Sequence, residues 1–185
     1  MLPSSIPIPL PGGLHGPLPK FVPVAQQFST EALSSIDATI ASEFAKFKDI
    51  DLTGKSVAIG VGSRGIKQIA PVVSAVVREL KAAGAEPFIV PAMGSHGGGV
   101  AEGQTAVLAS YGITEDAIGV PIKSSLEVVE LGQIILDVPV YCDKMAHMAD
   151  YVVICNRIKP HTDYRATHES GLIKMLAIGL GKHAG

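Results

Sequence analysis

Two histidines, an arginine and a lysine stand where their side chains can reach a ligand. His96 lies in the run Gly94-Ser95-His96-Gly97-Gly98-Gly99. Glycines on both sides leave the imidazole little to pack against and let a ligand approach closely; the plain alternative is an exposed turn histidine. Gly60-Val61-Gly62-Ser63-Arg64-Gly65 has the form G-x-G-x-x-G, whose glycines admit an anion to the backbone while a following helix supplies oriented N–H groups. Arg64 suits a carboxylate or phosphate there, or is a solvated arginine on a tight turn. A dinucleotide site also needs an acid at the end of the next strand to hold the ribose hydroxyls. That end reads Pro91-Ala92-Met93-Gly94, and Glu86 lies at the wrong end, so NAD is not expected.

The densest stretch runs from Asn156 to Lys174. Residues 156–185 carry five cations (Arg157, Lys159, Arg165, Lys174, Lys182) against Asp163 and Glu169, a local charge of +3 in a chain of net −2. A basic loop inside an otherwise acidic domain suits an anion. Lys174, between Ile173 and Met175, either snorkels outward or is aimed at a ligand. His161, Asp163, His168 and Glu169 admit a metal reading, as in a metal-dependent hydrolase, although their spacing follows no strong ligand pattern. Cys142 and Cys155 lie in apolar runs and read as small buried hydrophobes, and His15 and His147 as structural or surface residues.

The elements that must position these groups alternate. Ser56–Gly62 is a short apolar strand. Ile69, Val73, Val76, Val77 and Leu80 then form one helical face, with Pro71 in the first turn and Gly84 at the end. Pro87–Ala92 is a second strand, followed by the His96 loop and a helix to about Tyr111. Short strands are expected at Val128–Leu131 and Val138–Cys142, a fully buried strand at Ala149–Ile158, and a helix over Gly171–Ile178. An earlier helix, capped by Ser29 or Thr30, presents Leu33, Ile36, Ile40, Phe44 and Phe47. The expected fold is therefore α/β, Rossmann-like, with a largely parallel sheet flanked by helices. Ligands bind such sheets beyond the carboxyl ends of the strands, where all three polar loops fall. Seven of the thirteen prolines lie in the first 23 residues, so residues 1–28 are expected to form an extended Pro-rich arm and residues 29–185 the α/β domain.

Composition narrows the classes. Apolar residues make up 47% and charged residues 17%, enough to bury a core and too apolar for intrinsic disorder. Fifteen Lys and Arg against seventeen Asp and Glu give no global field for nucleic acid or a membrane surface. Two cysteines are too few for a disulfide framework. With no apolar run long enough to span a bilayer and no signal-peptide pattern, a cytoplasmic protein is expected.

The runs VAIGVGSRG, AGAEPFIVPAMGSHGG, AEGQTAVLASYGIT, SLEVVELG and NRIKPHTDYR…ESGLIKMLAIGLGKHAG together resemble the N-terminal domain of the lactate racemase family, over about residues 20–185. These are 2-hydroxyacid racemases and epimerases that use a nickel-pincer nucleotide. The resemblance implies inversion at a carbon bearing O–H and C–H by hydride abstraction to a planar 2-keto acid and return to the other face, with one base near each face. It makes His96 and His161 that acid/base pair and Lys174 the lysine that holds the cofactor, covalently or by polar contact. Ser63 and Arg64 match the motif that handles cofactor phosphate or substrate carboxylate. The family's second, C-terminal domain and its nickel-ligating histidine fall beyond Gly185, with His183 a substitute ligand candidate; Ala166-Thr167-His168 also departs from the family's stretch. On this expectation the chain is a fragment that does not catalyse alone, with a homo-oligomer allowed. The other reading left open is a phosphate- or nucleotide-binding module without chemistry of its own.

Overall fold

The computed structural model describes residues 20–29, 31–64, 66–163 and 165–185. The chain divides into two units, Met1–Ala32 and Leu33–Gly185. In the first unit residues 20–29, 31 and 32 form neither helix nor strand, and most of the expected Pro-rich arm lies outside the described residues.

The second unit is built on a parallel sheet. Strands β1 (Ser56–Val61), β2 (Glu86–Pro91) and β5 (Tyr151–Cys155) lie in the order β2-β1-β5, all parallel. Beyond β2 a parallel bridge joins Ile89 to Ile122, with Ile89 N–H donating to the Pro121 carbonyl at 2.9 Å. Central β1 is covered on both faces, which is why its sequence is an unbroken apolar run rather than an alternating one. Val57, Ile59 and Val61 pack with helix α2 (Ile69–Ala82) and with Leu108 and Ile113. Ala58 faces the other way, with Phe88, Val90, Ala146 and Leu180. The helical period of α2 places Ile69, Val73, Val77 and Leu80 inside, and Gly84, at φ +81°, ends it in the left-handed conformation glycine adopts freely.

Around this core lie α1 (Ile36–Phe44), α3 (Ala101–Ser110), α4 (Glu115–Ile118), α5 (Lys144–His147) and α6 (Gly171–Lys174), the last continuing into a wider turn over Met175–Gly179. Strands β3 (Val128–Ile134) and β4 (Val138–Asp143) form a separate antiparallel hairpin, so the largely parallel architecture applies to the central sheet and not to these two strands.

Three local expectations are corrected. The cap of α1 is Ser35, whose hydroxyl accepts the Ala38 N–H at 3.2 Å; Leu33 and Phe47 fall outside the helix and are 67% and 57% exposed. Half-buried Ile36, Ile40 and Phe44 form its inner face. The β5 strand is shorter than expected and not fully buried, because it is the outer strand: Tyr151 and Val152 are exposed, and only Cys155 is buried. Cys142, expected to be buried, is only partly so.

Candidate functional site

The three parallel strands end at Val61, Pro91 and Cys155, and the chain leaving each enters one cleft of about 440 Å³ at the carboxyl edge of the sheet. Ser63 and Arg64 follow β1, His96 follows β2, and Asn156, Arg157, Lys159 and His161 follow β5. Lys174 reaches the same cleft from the end of α6. The two histidines, the arginine and the lysine singled out from sequence thus line a single hollow. Its size is that of a small-molecule site. Arg64, Arg157, Lys159 and Lys174 give the lining four cationic side chains, and among the described residues no carboxylate lines it, so the field inside favours an anion.

Hydrogen bonds fix the imidazoles. Ser63 Oγ is in hydrogen-bond contact with His96 Nδ1, which leaves Nε2 as the other ring nitrogen for a ligand. The Tyr111 hydroxyl donates to the Ser63 carbonyl at 2.5 Å, holding the serine from α3. Ser63, expected at the cofactor, therefore also orients His96. In the third loop Asp163 N–H donates to His161 Nδ1 at 3.1 Å, so neutral His161 carries its proton on Nε2. Glu169 braces that loop by accepting the His161 N–H at 3.1 Å and the Ala166 N–H at 3.0 Å. These two bonds, more than Arg165, hold its carboxyl below the usual carboxylate range.

The His96 loop rests on backbone. Gly97, at φ +69°, lies so close to α3 that a Cβ there would sit 2.6 Å from the Gly103 carbonyl carbon. Gln104 of α3, fully buried, donates to the Gly94 carbonyl at 2.8 Å and the His96 carbonyl at 3.3 Å.

Behind Gln104 is a group whose role the sequence reading missed. The side chain of Lys182 is completely buried, with its amine 2.9 Å from Asp143 Oδ2, itself fully buried. That amine also donates to the Pro91 carbonyl at 2.5 Å and reaches Gln104 Oε1 at 3.5 Å. Asp143 Oδ1 meanwhile accepts the Ala146 N–H at 2.8 Å and caps α5. The end of β2, the hairpin, α3 and the terminal segment thus meet at one ammonium beneath the His96 loop. Lys182 takes φ +57°, a conformation uncommon for a non-glycine residue. It goes inward while His183 stays exposed. In sequence the signal is faint: a lysine closing the apolar, glycine-spaced run Leu176–Gly181.

His183 does not line the cleft; its ring lies near Gly99. Among the described residues no three His, Cys, Asp or Glu side chains gather as a metal site, which leaves the hydrolase reading of His161, Asp163 and His168 without a ligand set there. The start of α2 is also not in the lining, so cationic side chains, and not that helix end, form the anion-attracting wall. A nucleotide's phosphate fits this donor set. Gly62 and Gly179 of the lining pack directly on protein, where a Cβ would meet Met175 Cε at 3.0 Å and the Ala92 carbonyl oxygen at 2.9 Å, so neither position tolerates a side chain. Compared with known proteins, the chain matches no family model and no curated protein sequence.

Proposed function

We propose that this cleft binds the nickel-pincer nucleotide and a 2-hydroxy acid, and that the chain is the cofactor-binding, acid/base domain of a racemase or epimerase resembling the lactate racemase family. The observation that carries the reading is the convergence of His96, His161, Arg64 and Lys174, from separate loops, on one cation-lined hollow. Inversion at a hydroxylated carbon needs a proton acceptor near each face, and the presence of two imidazoles from different loops in one lining supports the reading.

In this reading the Arg64 guanidinium grips the substrate carboxylate. His96, oriented through Nδ1 by Ser63, takes the hydroxyl proton at Nε2 for one enantiomer and returns it for the other. His161 does the same on the opposite face; it releases the Asp163 N–H from Nδ1 when its ring turns to accept. Lys174 holds the cofactor, and Arg157 and Lys159 receive its phosphate. When bound, the cofactor supplies a hydride acceptor for the substrate Cα. A second domain, carried by the full enzyme, closes over the hollow and excludes water, and the setting is the cytoplasm.

The test is interconversion of 2-hydroxy acid enantiomers by the cofactor-loaded enzyme. Wild-type turnover on at least one acid of a panel, lost in His96→Ala and in His161→Ala by at least about 100-fold, supports the reading. Unchanged turnover in the variant carrying both substitutions removes the acid/base roles. Cofactor binding is followed separately by absorbance and by the mass of the Lys174 peptide.

A further inference from the structure

After β1 the Gly62 N–H donates to the Cys155 carbonyl at 3.2 Å, and the Ile66 carbonyl accepts the Ile69 N–H at 3.2 Å; between these two bonds the described residues join no main-chain N–H to a main-chain carbonyl. Ser63 and Arg64 stand in that interval, where no backbone ladder holds them. The Tyr111 hydroxyl supplies the tie. It donates at 2.5 Å to the Ser63 carbonyl, which belongs to the peptide joining Ser63 to Arg64. The tyrosine is itself anchored: its ring packs against the main core, and its N–H closes α3 on the Leu108 carbonyl at 3.0 Å. Gln104, seven residues earlier and so on the same face of the helix, holds the Gly94 and His96 carbonyls. One face of α3 therefore grips both loops, and the two loops touch where the Ser63 hydroxyl contacts His96 Nδ1.

We propose that Tyr111 is a positioning residue for His96 and acts through Ser63. It does not line the cleft, so it touches neither substrate nor cofactor. For Nε2 to take a proton, neutral His96 must carry its own proton on Nδ1 and donate it to Ser63 Oγ. That bond weakens steeply as it bends, so the serine must stay in place while the proton is moved. A phenol bound to the Ser63 carbonyl fixes the peptide and leaves the Ser63 hydroxyl to accept from the imidazole. Arg64 depends on the tie less, because its long stem lets the guanidinium reach an anion from a shifted backbone. Loss of the tie therefore falls on proton transfer more than on binding. The inference rests on the acid/base reading of the cleft and adds to it the group that keeps one base in register.

The experiment has two readouts, and the first needs no activity. In the cofactor-free protein the ring nitrogens of His96 and His161 are followed by NMR. Tyr111→Phe is expected to move the His96 nitrogens in the same direction as Ser63→Ala and to leave His161 in place; Tyr111→Met, also without the hydroxyl, gives the same result should phenylalanine disturb folding. In the cofactor-loaded enzyme, assayed on the panel of 2-hydroxy acids, Tyr111→Phe is expected to lower kcat about tenfold or more while KM stays within about threefold. Joined to Ser63→Ala it should cost nothing further, because a residue acting only through the serine has nothing left to position. His96 nitrogens unmoved in both tyrosine variants overturn the inference. So do losses in kcat that multiply in the double variant, which is the mark of a tyrosine that only supports the fold. If wild type turns over no acid of the panel, the racemase reading falls, and the ring nitrogens alone decide whether Tyr111 positions His96.

Discussion

Removing the Lys182 ammonium should be one of the most destabilising single changes in this domain. Its amine and the Asp143 carboxylate are completely buried and 2.9 Å apart. Lys182→Met keeps the length and apolar character of the stem but strands a buried carboxylate and frees the Pro91 carbonyl. Stranding one member of a buried pair costs about 3–5 kcal/mol, with about 1 kcal/mol more for the lost carbonyl bond. Asp143→Asn is the mirror change: it preserves an oxygen to cap α5 through the Ala146 N–H but leaves a buried cation, again at about 3 kcal/mol or more. The double variant strands no charge, so it should be less destabilised than the sum of the singles by at least about 2 kcal/mol. Urea unfolding of the four proteins, followed by circular dichroism and checked for constant slope, measures this cycle. Additive losses within about 0.5 kcal/mol, or a Lys182→Met variant as stable as wild type, would refute the claim that this pair ties the floor of the cleft together.

Other outcomes follow from the same geometry. Gly97→Ala should destabilise the domain by more than about 2 kcal/mol, since the added carbon meets the α3 backbone at a positive φ; thermal unfolding checks it, with Gly98→Ala, at positive φ but in open space, as the milder control. Asp150, which accepts from the Ser56 N–H and hydroxyl and from Lys55, has its carboxyl pulled from 3.8 to about 2 by those bonds, the Ser56 hydroxyl foremost. A depressed folded value means the contribution is fully present above the unfolded pKa and disappears as pH falls through about 4 to 2. Asp150→Asn should flatten stability against pH in that window, and the urea midpoint between pH 5 and 2 reads it. Burial pushes the Cys155 thiol up to about 11, so at pH 8 native Cys155 should resist iodoacetamide and react only after unfolding, as mass spectrometry of the peptides would register.

What the sequence disclosed follows a physical division. Local and strongly periodic signals were readable: the apolar run of β1, the helical stripe of α2 and the positive-φ stop at Gly84 are each written in neighbouring residues. The cleft was readable for the same reason, because parallel strands send their loops to one edge, so His96, His161 and Arg64 converge once the strands are recognised. The rest depends on partners distant in the chain. Ser29, Thr30 and Ser35 cap equally well in isolation, and the packing of Ile36, Ile40 and Phe44 selects Ser35. The apolar run ending at Cys155 looks the same in a central or an outer strand, and only its lateral position exposes Tyr151 and Val152. Lys182 reads as one more cation of the basic, anion-attracting segment until Asp143, from the far end of the hairpin, is brought to it and the pair is buried.

The central claim, that His96 and His161 face a common anionic ligand, is tested most directly by following both imidazole rings by NMR while a 2-hydroxy acid is titrated into the cofactor-loaded protein. Both sets of ring resonances should move along one saturation curve, and Arg64→Ala should shift that curve to higher concentration. Movement of one ring alone, or two curves with different midpoints, would contradict a shared site.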